Sequence, residues 1–343
     1  MCGIAGTISF EKKIIDRKII PSLISSIKHR GPDNSSFWLS QKNDVLLINT
    51  RLAILDLTKK GNQPFLSSDK RYTMIFNGEI YNFKDLKKYL TDIKFESKSD
   101  TEVLLKLYIK YKEKCLNMLE GMFAFVVYDN KKNELFCARD HFGIKPLYYY
   151  NFKNQFWFSS EIKSFFLINK SIKKNESSIY RYLNSEYHEH ISETFFKDIF
   201  KVKPGHYLVV NNKKHSEKKY WNFKDDLNKI ILPNKLKDRQ DYIKNLIENS
   251  VRSSMVSDVP VSIASSGGLD SSILQLIAKK FNSKIDLVSW DFKDKKYSEK
   301  QFALQMGKIS KLKSNIFRIT PNHFIEYLEK VIQVNEEPFS GLP

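Results

Sequence analysis

The sequence predicts an α+β layered domain with antiparallel sheets, followed by an α/β domain with a doubly wound parallel sheet. The length of 343 residues exceeds one ordinary domain and suggests two. Residues 1–210 combine many short strand patterns with two or three helices, an order typical of α+β layers. After residue 238, strand and helix patterns alternate, which is typical of parallel strands joined by crossover helices.

The first domain is predicted at residues 2–212, and its elements follow from apolar spacing. Apolar residues in alternation or in short runs indicate strands, whereas recurrence every three or four residues indicates helices. On this basis we expect strands at 4–10, 44–57, 71–76, 123–128, 134–138 and 155–159, and helices at 19–28 and 100–119. Turn residues between the later strands favour antiparallel pairing.

A polar, lysine-rich stretch at residues 213–237 is interpreted as a linker. The second domain then covers residues 238–343. Its patterns predict a helix at 239–255, a strand at 259–265, a helix at 269–281, a strand at 284–291, a further helix and a strand at 314–319. Residues 337–343 have loop character, so we expect an incomplete parallel sheet.

The net charge of +18, from 57 basic and 39 acidic residues, would suggest a nucleic-acid partner. Only nine of the basic residues are arginine, and the lysines are dispersed along the chain. Base recognition depends strongly on the planar guanidinium of arginine. We therefore expect a lysine-rich solvated surface and no nucleic-acid partner.

Cys2, Cys115 and Cys137 are too few for a disulfide scaffold and fit a reducing compartment. No apolar run approaches the roughly 18–20 residues of a membrane span, so no membrane partner is expected. The N-terminus lacks the basic and long apolar regions of a signal peptide, which favours the cytoplasm. The scattered His and Cys residues show no metal-ligand spacing, so no metal site is predicted from them.

Cys2 directly follows the initiator methionine. Removal of Met1 would place a free α-amine beside the thiol, and an amine with a pKa of about 7.7–8.0 can accept a proton near neutral pH. One residue would then provide both the nucleophile and the base. Taken alone, a Met-Cys start is more often a small buried side chain, so the surrounding motifs must decide.

Six sequence blocks occur in the order of one known family. They lie at residues 2–6, 29–33, 51–56, 77–82, 99–102 and 139–149. Together they resemble class II glutamine amidotransferases, and the resemblance implies an N-terminal-nucleophile glutaminase fold with α-β-β-α layers. It also implies that Cys2 is the catalytic nucleophile, and that the Asn77 side chain and the Gly78 N–H stabilise the oxyanion.

The same resemblance implies how glutamine, a zwitterion, is bound. Arg51 suits the carboxylate through a bidentate contact, and Glu79 and Asp100 suit the ammonium. The implied glutamine-binding residues are Arg51, Leu52, Ala53, Ile54, Leu55, Asn77, Gly78, Glu79 and Asp100. Structural alternatives stay open: an ion pair for Arg51, a hairpin turn for Asn77-Gly78, a helix N-cap for Asp100 and a framing turn for residues 29–33.

Residues 259–272 have the pattern of a strand, a glycine turn and a helix. N–H groups at such a helix start bind phosphate, but no Gly-Lys-Ser/Thr follows, which excludes a Walker A loop. The block resembles the pyrophosphate loop of ATP pyrophosphatases, and the resemblance implies ATP and Mg²⁺. The implied ATP-binding residues are Ser266, Gly267, Gly268, Asp270, Ser271 and Ser272, with Ser265 and Trp290 flanking the adenosine. A plain Ser/Gly-rich helix start is the alternative.

Over essentially the whole chain, this combination resembles the glutamine-hydrolysing asparagine synthetases. The resemblance implies an ATP-dependent ligase that takes ammonia from glutamine at Cys2 and passes it to aspartate, activated as an acyl-adenylate. Another carboxylate acceptor, such as a sugar acid of surface polysaccharide, stays open. So does glutaminase activity alone, because the later part of the second domain is not in the sequence. A regulatory module without catalysis is a further alternative function. A homodimer also stays open as the oligomeric state.

Overall fold

The computed structural model describes residues 1–10, 14–186, 190–211 and 214–339. The chain forms two compact units. The first unit comprises Met1–Lys229 together with the chain from Glu336 onwards, and the second unit comprises Ile230–Asn335. Among the described residues, none of the helices is both long enough and apolar enough to span a bilayer.

The first unit is built from antiparallel strands and short helices. Its strands are β1 (Gly3–Ser9), β2 (Asn34–Leu39), β3 (Val45–Arg51), β4 (Phe65–Leu66), β5 (Tyr72–Ile80), β6 (Gly121–Asp129), β7 (Glu134–Arg139), β8 (Tyr148–Phe152), β9 (Gln155–Ser159), β10 (Ile199–Lys201), β11 (His206–Asn211) and β12 (Lys214–Lys219). Its α-helices are α1 (Ile19–Ile27), α2 (Phe83–Leu86), α3 (Asp100–Tyr111), α4 (Lys163–Phe166), α5 (Glu176–Ser185) and α6 (Phe223–Leu227). Four 3-10 segments lie at Lys28–Arg30, Lys59–Gly61, Lys87–Tyr89 and Lys112–Met118.

The strands of the first unit form two six-stranded antiparallel sheets. The first sheet has the order β10-β8-β9-β1-β3-β2, and the second has the order β12-β11-β7-β6-β5-β4. One apolar cluster joins them, with Ile4, Val45 and Phe158 from the first sheet and Ile75 and Val126 from the second. The two sheets therefore pack face to face around the main core.

Helices cover the outer faces of both sheets. Leu23 of α1 and Phe165 of α4 join a second cluster with residues of the first sheet. Tyr108 of α3 packs on Phe136 of the second sheet, with ring centroids 4.8 Å apart. These α-β-β-α layers confirm the predicted glutaminase fold. Since both faces are covered, β1 and β3 are buried throughout, and each Leu or Ile so buried contributes about 1.5–3 kcal/mol.

The start of α3 is fixed by a cap that also positions a predicted site residue. The Ser99 hydroxyl accepts a hydrogen bond from the Glu102 N–H at 3.3 Å, as an N-cap serine does. The Glu102 carboxylate turns back and accepts from the N–H groups of Glu96 and Ser97 at 3.0 and 2.7 Å. Asp100 is consequently held as the first residue of α3.

Two predicted elements of the first unit are too long. The strand predicted to residue 57 ends at Arg51, because the residues that follow form a loop around the Arg51 side chain. The helix predicted to residue 119 ends at Tyr111, where Lys112 adopts a φ of +52°. A 3-10 segment replaces the rest of the predicted helix.

The structure also corrects the predicted linker at residues 213–237. β12 lies in this stretch and pairs with β11 along its whole length. Its sequence KHSEKK is largely exposed, as charged edge strands often are, so apolar alternation could not reveal it. The boundary between the units falls between Lys229 and Ile230 instead. Of the loop predicted at residues 337–343, residues 340–343 lie outside the described part of the chain.

The second unit alternates helices and strands. Its elements are α7 (Leu236–Ser254), β13 (Ser262–Ala264), α8 (Leu269–Phe281), β14 (Asp286–Phe292), α9 (Lys300–Ser310), β15 (Ser314–Ile319) and α10 (Pro321–Asn335). The strands pair in parallel in the order β13-β14-β15. The predicted parallel sheet is thus confirmed, with the glycine turn at the carboxyl end of β13.

Candidate active site

Cys2 lies immediately before β1, where the fold fixes both its backbone and its thiol. The Cys2 carbonyl accepts from Arg30 Nε at 3.0 Å, and the sulfur accepts from the Leu52 N–H at 3.4 Å. Burial raises the pKa of the Cys2 thiol. Burial also lowers the pKa of the neighbouring Met1 α-amine, so burial disfavours the charged form of both groups.

Asn77 and Gly78 lie side by side in β5. Asn77 is fully buried, and neither its Oδ1 nor its Nδ2 has a hydrogen-bond partner among the described residues. A buried amide without partners is costly, which indicates that this one serves a ligand. Gly78 is a glycine for steric reasons, because a Cβ there would lie 2.2 Å from the Met122 carbonyl oxygen. Both can present donors to a developing oxyanion.

Arg51 ends β3 and organises the loop that follows. Its guanidinium donates to the carbonyl oxygens of Thr58 at 3.0 Å and Leu55 at 2.9 Å, to the Asn62 Oδ1 at 2.8 Å and to the Asp56 carbonyl. Each terminal nitrogen of the guanidinium makes two of these contacts. Arg51 thus shapes the loop beside the pocket, and its bidentate contact with a glutamine carboxylate stays a prediction.

Two acidic groups face the same cavity. The Asp100 carboxylate accepts from the Ile80 N–H at 2.9 Å, and burial raises the pKa of Asp100 to about 7. Burial also raises the pKa of Glu79, while the Lys145 ammonium opposes that rise. When ionised, these carboxylates suit the ammonium group of an amino acid.

The cavity has a volume of about 130 Å³. Of the predicted glutaminase residues, it is lined by Cys2, Arg51, Leu52, Ile54, Leu55, Asn77, Gly78, Glu79 and Asp100. Ala53 is not among them; its N–H donates to the Asp33 carboxylate at 2.8 Å. The framing-turn alternative for residues 29–33 accordingly gains support, since Asp33 holds the loop and Arg30 holds Cys2.

Sequence reasoning missed several residues of this cavity. They are Met1, Gly61, Gln63, Phe76, Ser99, Thr101, Met122 and Lys145. Gly61 is required because a Cβ there would lie 2.3 Å from Arg51 Nη2. Lys145 falls within the block at 139–149, but no spacing rule indicates that its side chain reaches the cavity.

The second candidate site is the loop between β13 and α8. Gly267 has a φ of +82°, and a Cβ there would lie 2.5 Å from the Phe302 backbone. The Ser266 hydroxyl accepts from the Gly268 N–H at 3.2 Å and contacts the Ser271 hydroxyl at 3.1 Å. Helix α8 begins at Leu269, and its N-cap residue Gly268 makes no side-chain cap, so the first N–H groups of the helix suit an anion.

The remaining predicted ATP-site residues differ in their surroundings. Asp270 lies in the first turn of α8, and the Ser272 hydroxyl is buried with no hydrogen-bond partner among the described residues. Trp290 is half exposed in β14. Ser265 is buried and donates to Gln275 Oε1 at 2.9 Å. Its hydroxyl therefore ties the loop to α8, which gives it a structural role in addition to the predicted one.

Two family models match this chain. Residues 1–221 match the glutamine amidotransferase domain, and residues 242–342 match asparagine synthase. A protein of Methanocaldococcus jannaschii assigned as a glutamine-hydrolysing asparagine synthetase is 34% identical, with all of this chain and 70% of that protein covered. Asparagine synthetase 3 (glutamine-hydrolysing) of Bacillus subtilis is 36% identical, with 81% of this chain and 45% of the relative covered.

A solved structure described as the allosteric regulatory enzyme of purine biosynthesis is also similar. It shares 16% identity and a TM-score of 0.50, over 93% of this chain and 80% of the other. At that identity, the likeness concerns the fold alone. The chain spans 70% of the archaeal relative but only about half the length of the Bacillus enzyme.

Proposed function

Because this chain belongs to the family of glutamine-hydrolysing asparagine synthetases, we propose that it releases ammonia from glutamine at Cys2 and uses ATP to form an amide. The observation that carries the proposal is the cavity of the first unit. It brings together the Cys2 thiol, the unpartnered Asn77 amide and the carboxylates of Glu79 and Asp100. Few other substrates would use a thiol, an oxyanion donor and an ammonium site at once.

The first half-reaction is nucleophilic attack on the glutamine side-chain amide. With Met1 removed, the Cys2 amine takes the thiol proton as sulfur bonds to the amide carbon. The Asn77 Nδ2 and the Gly78 N–H donate to the resulting oxyanion, an effect worth about 2.7–4 kcal/mol for each donor. The amine then returns the proton to the leaving nitrogen. The C–N bond breaks, ammonia departs, and water hydrolyses the γ-glutamyl thioester to glutamate.

The second half-reaction is assigned to the loop between β13 and α8. Its helix N-terminus and the hydroxyls of Ser266, Ser271 and Ser272 suit the pyrophosphate part of ATP. The described residues contain no cluster of three acidic, His or Cys ligands. Asp270 alone nevertheless fits Mg²⁺, because Mg²⁺ bound with nucleotides takes most ligands from phosphates and water. When bound, that ion would neutralise the phosphate charge.

We propose aspartate as the carboxylate acceptor, in line with the names of the two relatives. Its activation by adenylation would release pyrophosphate, and ammonia would then displace AMP. We place this chemistry in the cytoplasm, a reducing compartment that suits a catalytic Cys2 thiol and the unpaired Cys115 and Cys137.

Glutamine hydrolysis by the purified chain tests the central claim. We expect glutamate and ammonia in equal amounts, and no release above background by Cys2→Ala. A glutamine-analogue electrophile should label Cys2 in a peptide that lacks Met1, as read by mass spectrometry. Turnover that persists in Cys2→Ala would refute the proposal. Pyrophosphate release that depends on aspartate then tests the acceptor separately.

A further inference from the structure

Lys145 is held rigidly in the loop between β7 and β8. Its N–H donates to the Asp140 carboxylate at 2.9 Å, and its carbonyl accepts from Arg139 Nε at 2.8 Å. Asp140 also accepts from the N–H groups of Phe123 and Ile144 at 3.2 and 2.9 Å. The Lys145 backbone is therefore fixed relative to β6, and its side chain extends from a defined origin.

The Lys145 side chain lines the cavity that contains Cys2 and Glu79. Only 4% of the residue is exposed, and its ammonium forms no ion pair within 4 Å among the described residues. Burial lowers the pKa of Lys145, while Glu79 and Cys2 oppose that change. A buried ammonium without a close counter-ion is costly, so a role in this cavity would explain its retention.

The other cations near Cys2 are already engaged. Arg30 is paired with the buried Glu161 carboxylate at 2.9 Å, and Arg51 is bonded to its own loop. The charged groups around the thiol are thus the α-amine, Arg30, Arg51, Lys145, Glu79 and Asp100. Of these, the two carboxylates disfavour a negatively charged sulfur. Lys145 is the side-chain cation whose charge is left to offset them.

We infer that Lys145 is a positioning residue of the glutaminase site, whose ammonium stabilises the Cys2 thiolate against Glu79 and Asp100. This inference rests on the proposed glutamine hydrolysis at Cys2. A cation in a buried cavity acts on a neighbouring anion with less screening by water than at the surface. The same ammonium lies near Glu79 and balances that carboxylate until a substrate ammonium replaces it.

The pH dependence of Cys2 alkylation by iodoacetamide tests the inference without requiring glutamine turnover. Mass spectrometry assigns the modification, and Cys115 and Cys137 are buried. We expect Lys145→Met to move the alkylation midpoint up by about one pH unit, so that the rate at neutral pH falls roughly tenfold. Lys145→Arg should retain the wild-type midpoint.

Lys201→Met is the control, since Lys201 is a partly buried lysine of the first unit that pairs with Glu337 at 3.3 Å outside this cavity. Its alkylation midpoint should equal that of the wild type. A Lys145→Met protein that unfolds at the wild-type temperature but keeps the wild-type midpoint would overturn the inference. A shifted midpoint in a protein that does not hydrolyse glutamine would instead refute the proposed function alone.

Discussion

The two units differ in how completely their sheets are covered. In the first unit, β1 and β3 are buried along their whole length. In the second unit, β13 is exposed at Ser262 and Ala264, and Leu269, Phe302 and Ile325 are exposed on its helices. Each unit nonetheless carries a candidate site, and the chain spans 70% and 45% of the lengths of the archaeal and Bacillus relatives.

The two candidate sites also differ in the chemistry proposed for them. Glutamine hydrolysis needs a buried thiol and carboxylates with altered pKa values, and only a covered cavity provides them. A phosphate loop needs a strand, a tight turn and free N–H groups, and these function at the surface. The proposed glutamine site thus depends on layers of packing, whereas the proposed phosphate site depends on the local geometry around Gly267.

The largest expected effect tests the contrast in packing. Phe125→Ala removes a fully buried ring on the face of the second sheet that α3 covers, where it contacts Phe136, and should cost about 3–5 kcal/mol in the free energy of unfolding. Phe317→Ala removes a ring that is 57% exposed in β15, and should cost less than about 1 kcal/mol. Urea unfolding followed by circular dichroism measures both. Equal losses in the free energy of unfolding for the two variants would mean that the Phe317 ring is buried in solution.

Asn77→Ala should separate activity from stability in the first unit. Loss of one oxyanion donor should lower kcat for glutamine hydrolysis by about 10²–10³. Because the Asn77 amide has no hydrogen-bond partner among the described residues, its loss leaves no group unpaired, and the unfolding midpoint should hardly move. Steady-state kinetics measures the loss in kcat, and thermal unfolding measures the midpoint. A large loss of stability would assign Asn77 a structural role.

The pH dependence of KM should report the buried carboxylate. With a pKa of about 7, Asp100 is about one-tenth ionised at pH 6 and about nine-tenths ionised at pH 8. Only the carboxylate attracts the glutamine ammonium, so KM should fall roughly tenfold over this range. Asp100→Asn should have a high KM that is flat with pH. A wild-type KM that is constant from pH 6 to 8 would contradict this assignment.

The smallest expected effect concerns the second unit. Magnesium pyrophosphate at ten times its Kd should stabilise this unit by about 1.4 kcal/mol. Ser272→Ala should weaken that protection, because the buried Ser272 hydroxyl has no partner among the described residues and suits a phosphate oxygen. The first unit should be unaffected. Thermal unfolding with and without pyrophosphate measures the shift in the unfolding midpoint. If pyrophosphate stabilises the wild type and Ser272→Ala equally, Ser272 does not contribute to the site.

Much of the fold could be predicted from the sequence because local patterns and global packing agree. The α+β elements of the first unit and the parallel sheet of the second follow from strand and helix periodicity, whereas the α-β-β-α order of the layers was implied by the family resemblance. β12 was not readable, since an exposed edge strand of charged residues lacks apolar alternation. The end of β3 could not be predicted either, because it depends on the hydrogen bonds from the Arg51 side chain to the loop that follows the strand.

By itself, the sequence determined the residue types of the proposed chemistry: Cys2 beside a removable methionine, the adjacent Asn77 and Gly78, and the glycine turn at Gly267. These are short-range features, encoded within a few neighbouring residues. The tertiary structure alone decided that Arg51 holds a loop and that Lys145 joins the cavity of Cys2. Burial and charge proximity decide such roles, and both arise only when strands distant in sequence pack together.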